Sequence, residues 1–137
     1  MPVKIERTQP EGMDIRKRDG VASYSHVVTV TGPCKTIYIA GQLARDAAGN
    51  IVGAGDMRAQ LEQTFKNLDT CLKAAGATWH DVVKTNTFVT DYEAFSTCAD
   101  VRMRYFGVAT PTSTTIQISR LAQPEAMVEI EMIAVIE

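Results

Sequence analysis

The sequence predicts an α+β domain in which helices lie on one face of a largely antiparallel or mixed sheet. Three observations carry this expectation. β-branched apolar runs recur near Val27, Thr36 and Val82, one central segment repeats its apolar residues at steps of three and four, and the last ten residues alternate with a period of two. A chain of 137 residues suits one domain, 1–137, around one core. No internal repeat, linker or low-complexity segment divides it.

Taken in order, residues 27–30 and 36–40 are β-branched and apolar, and the Gly-Pro of "TGPCK" between them predicts a hairpin. "GQLARDAAGNIVGAGD" is rich in Gly, Asp and Asn and predicts a loop ending at Asp56, a good helix N-cap. Leu61, Phe65, Leu68, Leu72 and Ala75 then fall on one face of a helix closed by Gly76, with Glu62, Lys66, Asp69 and Lys73 on the solvated side. "DVVKTNTFVTD" predicts a strand, and Asp91 is placed to cap a second helix running to about Tyr105. There Phe95, Cys98, Ala99, Tyr105 and Phe106 form the packed stripe, while Arg102 and Arg104 point elsewhere.

Two strands close the chain. Residues 114–121 alternate, and "MVEIEMIAVIE" sets Val128, Ile130, Met132, Ala134 and Ile136 against Glu129, Glu131, Ile133 and Val135. The second of these faces is part apolar, and a two-layer domain would leave it wet. An oligomer that buries it is therefore expected.

Composition excludes several classes of function. A net charge of −2 and the short basic run Arg16 to Arg18, flanked by Asp14 and Asp19, argue against nucleic acid as a partner. That run is expected to be a solvated loop. No apolar run approaches the length of a membrane span, and "MPVKIERTQPEG" carries no apolar leader, so a cytoplasmic protein with no membrane partner is expected. Cys34, Cys71 and Cys98 match no paired spacing, and His26 and His80 stand far apart, so neither a disulfide framework nor a metal site is expected. Cys98 reads as a small core residue.

Two places could hold chemistry. Glu129 and Glu131 share one strand face with apolar neighbours, where a carboxylate can act as general acid or base or else flank an interface. "PTSTTIQIS" places four hydroxyls, Thr112 to Thr115, where a strand begins. Ser113 to Thr115 have no adjacent base and no nucleophile-elbow pattern, so they suit ligand binding or a Thr-rich edge strand rather than covalent catalysis. Tyr24, in "SYSH" before the first apolar run, is either a lid over a site or a loop aromatic.

"VVTVTGPCKTIYIAGQ", "QTFKNLDTCLKAAGATWHDVVKTNTFVTDYEAF" and "PTSTTIQISRL" followed by "VEIEMIAVIE" resemble the RidA family, also called YjgF-type or L-PSP endoribonuclease-like. The resemblance runs from about Tyr24 to the end. It implies a chorismate-mutase-like homotrimer with small-molecule clefts between subunits. It also implies hydrolysis of reactive enamines and imines without metal or cofactor. A glutamate on the last strand, matching Glu129, positions water, and Tyr24 matches the lid tyrosine. The substrate-binding set would be Ser113, Thr114, Thr115, Ala40, Gly41 and Phe88.

The family's carboxylate-gripping arginine falls at Ser113, a small polar position before "GQ" is Ala40, and a helix asparagine is Ala99. A serine hydroxyl offers one donor and no charge. The ordinary 2-iminoacid reaction is thus in doubt, and two readings remain. One is a divergent deaminase of another aminated acid, aminomuconate-like substrates included; the other is a non-catalytic ligand-binding or interaction trimer. A ribonuclease is least compatible with the acidic charge. Arg120 lies seven places beyond Ser113 and would face away in a regular strand. Arg45 and Arg102 are the other arginines that could bend into the neighbour's cleft and restore a positive charge.

Overall fold

A computed structural model describes residues 2–137. Its central sheet has four strands in the order β5 (Lys35–Gln42), β8 (Val128–Ile136), β6 (Val82–Val89) and β7 (Thr112–Gln117). β8 is antiparallel to both its neighbours and β6 is parallel to β7, so the sheet is mixed, as expected. The helical crossover between β6 and β7 supplies the long connection that a parallel pair requires.

The predicted hairpin does not form. β4 (Val27–Thr31) pairs with β1 (Lys4–Thr8), Lys4 opposite Thr31, while β5 pairs with β8. The Gly-Pro turn is present, with Gly32 at φ 97°, but it hands the chain from one sheet to another. Local turn chemistry was legible; the partner of β4 lies some twenty residues away in a segment without strong β signal. The basic run, expected as a loop, also departs in part: Lys17–Arg18 (β2) and Val21–Ala22 (β3) make a two-residue hairpin, although Arg16 remains solvated.

Helix α1 (Met57–Ala74) begins where Asp56 accepts a hydrogen bond from the Ala59 amide at 3.1 Å and ends before Gly76, which sits at φ 75°. Its apolar face is the predicted one: Leu61, Phe65, Leu68 and Leu72 are buried against Ile39, Val128, Ile130 and Met132 of the sheet. Asp91 caps the next segment through the Ala94 amide, but that segment is two helices, α2 (Tyr92–Ser96) and α3 (Ala99–Phe106). The hydroxyls of Ser96 and Thr97 donate to Glu93 O and Ala94 O at 2.7 and 2.8 Å, local bonds that compete with helix continuation. Phe65, Trp79, Tyr105 and Phe106 pack as an aromatic group, with Phe65 and Tyr105 stacked at 4.9 Å.

All three helices lie on one face of the sheet. The opposite face carries Tyr38, 77% exposed, and Ile116, 46% exposed, beside Ile133. β7 stops at Gln117, short of the predicted Leu121. Arg120 therefore lies in the following loop, where it donates to Leu121 O and Ala122 O.

Candidate functional site

Between Ile39 opposite Met132 and Gln42 opposite Ile130, β5 has one residue more than β8. This bulge holds Ala40 and Gly41, and bulges recur beside active sites because they re-aim side chains. Glu129 lies directly over it. A Cβ on Gly41 would stand 2.2 Å from Glu129 Oε1 and 2.9 Å from its Cγ, so only glycine leaves the carboxylate room. Phe88, opposite Glu129 on β6, packs toward Leu43, Leu121 and Ala126 and walls the same place. Glu131, the other member of the acidic pair, accepts from Asn86 Nδ2 at 3.1 Å.

Polar residues of α1 hold both flanks of the bulge. Gln60, fully buried, donates to Gly53 O at 3.1 Å and Glu125 O at 2.9 Å and accepts from the Met127 amide at 2.7 Å, two residues before Glu129. Asn67 donates to Leu43 O and Arg45 O, both at 3.0 Å, just after the bulge. Neither residue was singled out in the sequence, since a glutamine and an asparagine on a helix read as solvated by default.

The hydroxyl row divides by strand alternation. Thr114 points to the open face and is exposed, while Ser113 and Thr115, opposite Thr85 and Thr87, turn toward the helices. There they line a cleft of about 370 Å³ with Tyr24, Phe95, Ala99 and Arg102. Tyr24 is held at its edge because the neighbouring Ser25 donates from its amide to Pro111 O and from its hydroxyl to Thr110 O, at 3.0 and 2.7 Å. The structure thus unites Tyr24, Ser113 and Thr115 on one side of the sheet, and Glu129, Gly41 and Phe88 on the other. Within one protomer the two groups cannot meet.

Arg102 was expected to point away from the packed stripe and instead enters the cleft wall. Its Nη1 and Nη2 each lie 3.4 Å from Thr85 Oγ1, and its guanidinium sits 4.7 Å above the Phe106 ring. Burial draws its pKa down to about 10, which leaves it cationic at neutral pH. Among the described residues no carboxylate forms an ion pair with it. Arg45, the other alternative, donates to Gln123 Oε1 and lies outside the cleft.

The model of the Endoribonuclease L-PSP family matches residues 15–136. The chain belongs to the Rid (YjgF, L-PSP) family. Among its relatives, the 2-iminobutanoate/2-iminopropanoate deaminase of Bos taurus is 36% identical over 115 residues, 84% of this chain and 81% of the relative. The protein of that name from Dermatophagoides farinae is 33% identical over 117 residues, covering 85% and 88%. A solved structure of the Rid family, YyfB from Yersinia pestis, a protein of unknown function, superposes with a TM-score of 0.81 at 34% identity and covers 95% of this chain and 97% of its own. This Rid protein therefore shares its fold with the family over almost its full length, and it has relatives named as imine deaminases.

Proposed function

We propose that the protein is a cofactor-independent hydrolytic deaminase of a reactive enamine, imine or related aminated acid, aminomuconate-like substrates included, working as a homotrimer with clefts between subunits. The observation that carries this reading is the placement of Glu129 over the Gly41 bulge. A carboxylate held there beside the apolar Phe88 can orient a water and move its proton. The relatives named as imine deaminases support the same chemistry.

In the proposed reaction an enamine first tautomerises to the imine. The Glu129 carboxylate takes a proton as water oxygen bonds to the imine carbon, and the proton is then returned to nitrogen. The resulting carbinolamine passes its hydroxyl proton through the same carboxylate to nitrogen as the C–N bond breaks, so ammonia leaves and a carbonyl remains. Because Glu129 and the cleft of Ser113, Thr115 and Tyr24 face opposite ways, the complete site is assembled from two copies, the cleft of one and Glu129 of the partner subunit.

Ser113, Ala40 and Ala99 favour the second reading, a trimer that binds a small molecule or a partner without turnover. Ammonia release decides between them, measured with iminoacids generated in situ and with 2-aminomuconate, beside Glu129→Ala. Turnover that the variant loses supports the hydrolase. No release with any substrate from a folded oligomer would overturn it and leave the binding role.

A further inference from the structure

We infer that Arg102 is the anion receptor of this protein and that its cleft takes a carboxylate joined to a bulky apolar body. The inference deepens the proposed hydrolase by naming its substrate class, but it can stand or fall on binding alone.

Three observations lead to it. First, Arg102 is a partly buried guanidinium without an anionic partner among the described residues, its donors met only by the two long contacts to Thr85 Oγ1. A guanidinium has five N–H donors and a planar fork suited to a carboxylate, and burying one unpaired is costly unless a ligand completes it. Second, its position is specific. Thr85 stands opposite Ser113 in the β6–β7 register, one strand spacing or about 5 Å away, and the guanidinium that contacts Thr85 lines the same cleft as Ser113. A cation thus arrives from α3 beside the serine whose own side chain carries none, and the Ser113 and Thr115 hydroxyls are placed as further donors.

Third, the cleft is larger than a two- or three-carbon acid requires, and beside Arg16, Ser23, Thr87 and Ser96 much of its lining is apolar. Leu61, Phe65, Phe95 and Ile130 form its floor and inner wall, and Tyr24 closes one edge. A ligand whose carboxylate pairs with Arg102 would extend its body over these side chains. Acids with an aromatic or branched chain gain from burying that surface, and acetate-sized acids do not.

The test is calorimetric titration of the intact protein with 3-phenylpropanoate, which has nothing to hydrolyse, against acetate and the neutral 3-phenylpropanamide. The expected order is 3-phenylpropanoate well ahead of both, with the Arg102→Met variant weakened about ten- to a hundredfold and Arg102→Lys falling between. Replacing a partly buried, unpaired cation with Met should not cost folding, and the lysine variant keeps the charge should it do so. Equal affinity for acid and amide, undiminished binding by Arg102→Met, or no binding by the wild type would each overturn the inference. Binding as expected without ammonia release from any substrate would overturn only the hydrolase reading. Ammonia release that Arg102→Met leaves unchanged would overturn this one.

Discussion

The Glu129 carboxylate occupies the space that a side chain at Gly41 would need, with only 2.2 Å between Oε1 and a hypothetical Cβ. Gly41→Ala should therefore fold, since the long glutamate side chain can rotate away, but with its carboxylate displaced. The expected outcome is a Tm within a few degrees of wild type and turnover lowered by about tenfold or more. Wild-type kcat in this variant would show that the position of Glu129 is immaterial.

Gln60 ties the Gly53 loop to the segment that enters β8. In Gln60→Ala the Met127 amide and two carbonyls lose their partner, at a cost of roughly 2–3 kcal/mol, or about 6–12 °C in Tm. Because the released segment leads directly to Glu129, activity should fall further than the unfolded fraction accounts for. Thermal denaturation and kcat measured on the same sample separate the two effects.

Arg102 should give the cleft a distinctive alkaline limit. Its pKa is drawn down by burial to about 10, so the cation burdens the folded state below that value and the burden eases as the pH rises through it. Carboxylate affinity runs the opposite way: flat from pH 7 to 9, then falling above about 10 as the guanidinium loses its proton. A titration series across that range checks this, and an affinity unchanged at pH 11 would show that Arg102 keeps its proton there.

Asp69 provides an acid-side prediction. The hydrogen bond from Lys73 at 2.7 Å is the largest influence, and with the Trp79 indole N–H at 2.9 Å it holds the carboxyl below its usual range. A carboxyl lowered on folding contributes stability above its unfolded pKa, near 4, and loses it as the pH falls through the folded value. Asp69→Asn should thus cost roughly 0.5–1 kcal/mol at pH 7, with the gap closing below about pH 3. Denaturant midpoints at the two pH values measure it.

Much of this architecture was legible because it is locally encoded. The four apolar residues from Leu61 to Leu72, the caps Asp56 and Asp91, and the alternation that puts Glu129 opposite Val128 in face all depend on neighbours within a few residues. What escaped depends on distant contacts. β1 and β4 meet across the whole N-terminal excursion. Arg102 finds Thr85 across a strand and two helices, and an arginine on an amphipathic helix is ordinarily solvated. The break between α2 and α3 lies between these cases, since the hydroxyls that cause it are visible in "FSTCAD" but their weight against a continuing helix is not.

The division of the candidate groups between two faces of one sheet also has a genetic meaning. If each site borrows its carboxylate from one chain and its guanidinium from another, then Glu129→Ala and Arg102→Met damage different halves. Two such silent proteins, unfolded together and reassembled, would regain a fraction of wild-type activity in those pockets that happen to inherit both intact halves. In a mixture of intact and Glu129→Ala chains the share of working sites would simply equal the share of intact chains, although an intact cleft could be silenced by its neighbour.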